Sequence, residues 1–251
     1  MNYNRPIVLS IAGFDPCGGA GVLADIKTFE QHQCLGMAVN TSITNQVENN
    51  FISVNWFSVD EIIEHIKPLI EKYKIEFVKI GIIQNIDMLN EVVSYLKQQN
   101  KDIKIIWDTV LSSSSGFNFI DNLNKTKLIK VLQNIYLITP NTNEAKNLSG
   151  LESEHEAAKF LSSFCNVLLK GGHSKENKGV DFLFSNHSQL TINHQQSTIM
   201  YPKHGSGCIL SSAITANLAL ENDLETACIK SKNYTETILS SNTNLLAYHV
   251  A

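Results

Sequence analysis

The feature that most constrains this chain is an alternation, held from Pro6 to Gly172, between short strand-like runs and longer segments of helical periodicity. The runs at 6–13, 36–44, 77–83, 103–107, 136–141 and 165–172 are rich in apolar residues and end in, or run directly into, glycine or polar residues. That is the pattern of parallel strands buried on both faces. Between them, residues 22–30, about 59–72, roughly 86–98, 123–132, 141 to near 150, and 154–164 carry apolar residues three and four apart. Such alternation predicts an α/β fold with helices on both faces of a mainly parallel sheet. From Val180 the pattern changes to strand runs without helices between them, at 180–184, 189–192 and 197–200, which predicts an antiparallel margin. No repeat and no long Pro/Gly/Ser linker interrupts the chain, so one domain over residues 1–251 is expected.

The 251 residues, 43% hydrophobic and 18% charged, suit a globular protein with a large core. A formal net charge of −4 and the lack of long Lys/Arg clusters argue against nucleic acid as a partner, so any phosphate affinity must be local. No apolar run approaches the ~20 residues of a membrane span, and the first six residues lead into a strand-like run instead of a signal-peptide core. A cytoplasmic location is expected. Five widely spaced cysteines without a Cys-x-x-Cys pair predict reduced thiols, with neither a disulfide framework nor a zinc site.

The chemistry is expected around His204-Gly205-Ser206-Gly207-Cys208, which precedes a run of small and apolar residues at 209–220. Two glycines allow a tight turn, and the run reads as a buried helix whose first N–H groups lack partners, which makes an anion site. The helix start should also lower the pKa of Cys208 and favour its thiolate; the bland alternative is an inert buried cysteine. A glycine-rich loop at 14–21 follows the first strand, with a spacing that matches neither the dinucleotide fingerprint nor the Gly-Lys-Ser/Thr phosphate loop. Polar groups fall at predicted strand ends: Asn45-Gln46, Asp108, and Lys170 with two glycines. Open α/β sheets bind ligands at that edge. Asp108 is either a turn residue or a ligand for a metal or substrate hydroxyl. Asn141 and Glu144, three apart, fit a helix cap, with the ordering of metal-bound water by Glu144 as the functional alternative.

Seven segments taken in order resemble bacterial hydroxymethylpyrimidine/phosphomethylpyrimidine kinases, members of the ribokinase-like superfamily that serve thiamine synthesis. They are residues 10–21 with 24–29 behind them, Thr44-Asn45-Gln46, Lys79-Ile80-Gly81, Asp108-Thr109-Val110, 139–144, 169–173 and 204–208. The resemblance implies a ribokinase-like three-layer α/β/α sandwich. It implies transfer of the γ-phosphoryl of ATP, with Mg²⁺, to the hydroxymethyl group of an aminopyrimidine and then to its monophosphate. By position, Cys208 matches the catalytic residue and Gly205, Ser206 and Gly207 the anion hole. Gly13, Asp25, Gln46 and Val110 match pyrimidine-pocket positions. Lys170, Asp108 and Asn141 match the ATP site, and Glu144, with Asp108, the magnesium-water motif. A homodimer is implied as well. The chain departs from the family pattern at Thr109 (usually proline), Ile82 (commonly methionine), Cys17 (usually serine) and Ser206 (usually threonine); the first two bear on the substrate pocket.

Two rival readings stand beside this one. A pyridoxal or pyridoxine kinase of the same superfamily would also phosphorylate a hydroxymethyl group on a flat heteroaromatic. Gln46 favours the pyrimidine, because a carboxamide can both donate to and accept from an aminopyrimidine edge. A cysteine hydrolase would use Cys208 as nucleophile and His173 or His204 as base, but would leave Asp108 and Lys170 without a task.

Overall fold

In the computed structural model, residues 4–112, 119, 123–173, 179–185, 188–194 and 200–249 are described, His173 by its backbone alone. Parallel strands β1 (Ile7–Phe14), β4 (Phe77–Ile80), β5 (Lys104–Trp107), β6 (Leu137–Ile138) and β7 (Asn166–Leu169) form the centre of a nine-stranded sheet. Its order is β3-β2-β1-β4-β5-β6-β7-β8-β9, where β2 is Leu35–Val47, β3 Asn50–Trp56, β8 Asp181–Ser185 and β9 Ser188–Ile192. The three-layer α/β/α architecture, mainly parallel, is that expected of a ribokinase-like chain, but the antiparallel character lies at both edges. β8 and β9 extend one edge as the sequence suggests; β3 pairs antiparallel with β2 at the other. β3 was not among the expected strands, whereas Asn45-Gln46, expected at the end of the second strand, does lie at the end of β2. The expected strand at 197–200, and the run at 112–118 whose serines and glycine read as a loop, lie outside the described residues except at Met200 and Ser112.

Side-chain alternation sorts each central strand into two cores. Ile7, Leu9 and Ile11 of β1, Ile105 and Trp107 of β5, and Val167 and Leu169 of β7 join the core under α2 (Val59–Lys72), α3 (Ile86–Gln99), α4 (Lys125–Leu132), α5 (Thr142–Ser149) and α6 (Glu154–Leu161). Their alternates Val8, Ile106 and Leu168 face α1 (Gly21–Gln31), α7 (Ser206–Ala219) and α8 (Leu224–Ser240). Burial on both faces is why these strands carry few polar residues except near their C-terminal ends. Caps set several helix starts: Ser58 with Glu61, and Asn141 with Glu144, form capping boxes, and Asn85 and Asp223 cap α3 and α8. All five cysteines are free thiols. No helix among the described residues is long and apolar enough to cross a membrane.

β1 lies between β2 and β4, so the chain winds outward from it in both directions. The C-terminal ends of β1 and β4 therefore flank a topological switch point, where open α/β sheets leave a crevice. Gly13, Lys79, Asp108 and Lys170 all reach that crevice from strand ends.

Candidate active site

The crevice is a cleft of about 970 Å³ along this sheet edge. At its β2 end it is lined by Gly13, Gln46, Phe51, Ile82 and Val110, and at its β8 end by Gly172, Gly179, Asp181 and Lys232. Between them stand Lys79, Asp108, Asn141, Glu144, Lys170 and the start of α7, from Gly205 to Cys208. Of the site residues that the resemblance implies, all but Asp25 line this one space.

The α7 start has the expected build. Gly205 is the N-cap in a left-handed conformation (φ 75°), with no side chain capping the helix. A Cβ there would lie 2.0 Å from the Gly19 carbonyl oxygen, so the two glycine loops meet backbone to backbone and only glycine fits. The uncapped N–H groups and the helix dipole thus face the cleft. Gly207 keeps the approach open: a Cβ there would come within 3.3 Å of Lys170 Nζ and 3.7 Å of Asp108 Oδ2.

The charged groups opposite form one network. Lys170 Nζ donates to Asp108 Oδ1 at 3.0 Å and lies 3.9 Å from Glu144 Oε2. Thr139 Oγ1 also donates to Asp108 Oδ1 at 3.0 Å. Burial works against the charge of Asp108, but Lys170 and Lys79 hold its carboxyl below the usual carboxylate range. Burial pushes the Glu144 carboxyl up; Lys170 opposes this and the Asp108 charge adds to it. Asp108 Oδ2 is buried with no hydrogen-bond partner among the described residues. A donorless carboxylate oxygen at the cleft, with a second carboxyl across Lys170, is a donor set that fits a hydrated hard cation.

Asn141 and Glu144 form the helix cap expected of them. The Asn141 side chain accepts from the Glu144 N–H at 2.9 Å, and Glu144 Oε2 accepts from the Asn141 N–H at 2.7 Å, which completes the cap. Both residues also line the cleft. Thr109, one of the expected departures from the family pattern, is fully buried and donates to Glu144 Oε2 at 3.3 Å. The substitution therefore acts on Glu144 and not on the pocket wall, whereas Ile82 does line the pocket.

Two expectations need correction. Asp25 does not reach the cleft surface: it is fully buried, and its carboxylate accepts from Lys79 Nζ at 2.8 and 2.9 Å, Ser10 Oγ at 2.5 Å and Ser212 Oγ at 2.6 Å. It is Lys79, itself fully buried, that borders the cleft. The Cys208 thiol, expected to be acidic, is instead pushed up to about 11 by burial; Lys79 opposes the shift, Asp108 and Asp25 reinforce it, and a backbone hydrogen bond from Gly21 opposes it. The helix start and one lysine do not compensate a thiolate for lost water beside two carboxylates.

Sequence reasoning assigned no role to Lys79 or to the Lys232–Asp181 pair. Lys79 was visible as the one charge inside an otherwise apolar strand run. Lys232 donates to Asp181 Oδ2 at 3.0 Å and to the Gly179 carbonyl at 2.7 Å, while Asp181 Oδ1 accepts from the Gly171 N–H at 2.8 Å. That link ties α8 to the loop after β7, and nothing in the local sequence signals it. Of the two histidines offered as a hydrolase's base, His204 is held by Asp15, Nε2 to Oδ2 at 3.0 Å, and the His173 side chain lies outside what is described.

Comparison with known proteins agrees with this geometry. The family profile described as phosphomethylpyrimidine kinase matches residues 15–251. The hydroxymethylpyrimidine/phosphomethylpyrimidine kinase of Aquifex aeolicus is 36% identical over 247 residues, covering 94% of this chain and 95% of that protein. Among solved structures, a phosphomethylpyrimidine kinase from Clostridium difficile superposes with a TM-score of 0.78 at 31% identity, over 92% of this chain and 98% of the other. An ADP complex of Bacillus subtilis pyridoxal kinase superposes with a TM-score of 0.81 at 27% identity, over 95% and 93%. An uncapped helix start facing a lysine–carboxylate network, on a ribokinase-like sheet and with relatives of this kind along nearly its whole length, leaves one assignment: the chain belongs to the phosphomethylpyrimidine kinase family of phosphotransferases.

Proposed function

We propose that the chain, acting as one kinase domain, transfers the γ-phosphoryl group of ATP to the hydroxymethyl group of 4-amino-5-hydroxymethyl-2-methylpyrimidine and then phosphorylates the monophosphate, in thiamine biosynthesis. The observation that carries this reading is the uncapped start of α7 facing Lys170 and the partnerless Asp108 oxygen. Donors of that kind stabilise charge that develops on a transferring phosphoryl group. The β2 end of the cleft, with Gly13, Gln46, Ile82 and Val110, is assigned to the pyrimidine; the Gln46 carboxamide can both donate to and accept from an aminopyrimidine edge. Lys170 and Asn141 are assigned to nucleotide phosphates.

In the transfer, the hydroxymethyl oxygen forms its bond to the γ-phosphorus as the bond to the β,γ-bridging oxygen breaks and ADP leaves. The hydroxyl proton passes to the Cys208 sulfur, which must already be a thiolate, and later to solvent. Lys79 is the cation that favours this thiolate. Asp108 and Glu144 would hold Mg²⁺ through water, and bound Mg²⁺ would supply charge neutralisation to the phosphates. A cytoplasmic enzyme is consistent with five free thiols. A homodimer is supported by Ile43, Val47 and Ile52, exposed on the β2–β3 edge.

Initial rates with ATP on the aminopyrimidine alcohol, on its monophosphate and on pyridoxal test the assignment. Brisk turnover of the first two is expected; turnover of pyridoxal alone would transfer the assignment to the pyridoxal kinases, whose structural likeness to this chain keeps them the one serious alternative.

A further inference from the structure

Outside the phosphate network, Asp15, Cys17 and His204 bring three different donor atoms together, all within 4.8 Å of one another. Cys17 Sγ lies 3.0 and 3.2 Å from the two Asp15 oxygens, and His204 Nε2 lies 3.0 Å from Asp15 Oδ2. We propose that these three side chains form a binding site for a thiophilic divalent cation, of which Zn²⁺ is the type, distinct from the Mg²⁺ that accompanies a nucleotide.

The donor set decides the kind of ion. Thiolate, imidazole and carboxylate together suit Zn²⁺, whereas Mg²⁺ takes oxygen ligands in octahedral geometry. A tetrahedral Zn²⁺, with bonds of about 2.0–2.3 Å, separates its ligand atoms by about 3.3–3.6 Å. The contacts of Cys17 Sγ and His204 Nε2 with Asp15 need to open by only a few tenths of an ångström, and the sulfur and the imidazole nitrogen themselves lie within 4.8 Å of one another. Three protein ligands leave a fourth position for water. Asp15 is oriented by the N–H groups of Cys17, Gly19 and Ala20, at 3.1, 3.2 and 2.8 Å, as ligating carboxylates commonly are by their surroundings. Binding replaces the Cys17 S–H bond by an S–Zn bond and releases that proton to solvent. Cys17, whose sulfur is the soft donor of the three, is the element that turns a hydrogen-bonded corner into a soft-metal site. The ion would tie the glycine loop after β1 to His204, the residue before Gly205, and so clamp the two backbones that meet at Gly19 and Gly205.

The test is Zn²⁺ binding to the whole chain by chelator competition, in wild type, Cys17→Ser and Cys208→Ala. One site is expected in the wild type, at least tenfold weaker in Cys17→Ser and unchanged in Cys208→Ala, with Zn²⁺ raising the thermal midpoint of the wild type but not of Cys17→Ser. Equal affinity in Cys17→Ser, or loss of the site in Cys208→Ala, would overturn the proposal. Should Cys17→Ser fold poorly, Co²⁺ added to the wild type gives an independent answer: a thiolate-to-cobalt charge-transfer band that persists in Cys208→Ala supports the site, and its absence rejects it.

Discussion

A methyl group on Gly207 would sit close to Lys170 Nζ, whose flexible end can yield, and in ordinary contact with Asp108. Gly207→Ala should therefore leave the melting temperature within about 2 °C of wild type while filling the space a phosphoryl group needs. Its kcat should fall on the order of 10²-fold; an unimpaired kcat would mean that the phosphoryl group does not pass this helix start. Lys170 lies at the same scale. As a point charge assigned to nucleotide phosphates, its replacement by alanine should raise KM for ATP far more than KM for the pyrimidine. It also removes one of two donors to the same Asp108 oxygen, so thermal stability should fall too. Equal changes in the two KM values would make the lysine structural only.

At the scale of elements, the Lys79–Asp25 pair joins β4 to α1, and Ser10 and Ser212 bring β1 and α7 into the same buried network. Removing one charge of such a pair leaves the other buried and unpaired, so Lys79→Met should cost about 3–5 kcal/mol in urea unfolding, part of it recovered by adding Asp25→Asn. Simple additivity of the two changes would show that the pair is not coupled. This network also marks where the sequence stops being legible. The helices and central strands could be read because a side chain's period reports burial: α2 spans Val59–Lys72, the range its periodicity suggests, and α5 runs between the Asn141 cap and Gly150, whose φ of 75° suits glycine. β3 could not, since Phe51 and Trp56 are only partly buried and meet partners far along the chain such as Phe119, through edge contacts with ring centroids 5.3 and 6.2 Å apart. Asp25 was misplaced for a related reason: its position in a motif is visible in sequence, but the three residues that enclose its carboxylate are not adjacent to it.

Over the whole molecule, the outward winding from β1 brings strand ends far apart in sequence to one cleft, which is why a candidate site assembled from scattered motifs nearly all falls in one place. The environment of Cys208 was not legible in the same way, because its thiol is set by Lys79, Asp108 and Asp25 converging from other elements. At this scale the exposed edge hairpin predicts a dimer by light scattering, and Ile52→Asp should shift it toward monomer; a wild-type monomer at micromolar concentration would refute that assembly. The most direct test of the central claim is the pH dependence of kcat/KM for the pyrimidine, which reports the free enzyme's groups. A thiol near 11 that must lose its proton to act as base makes the wild-type rate climb with pH from neutrality into the alkaline range, with no plateau near pH 8. Cys208→Ser, whose hydroxyl stays protonated, should lose that climb and turn over about 10²–10⁴-fold more slowly. A wild-type profile flat across this range, with Cys208→Ser close to wild-type kcat, would contradict the account and leave the α7 start and its facing cations to carry the transfer without a cysteine base.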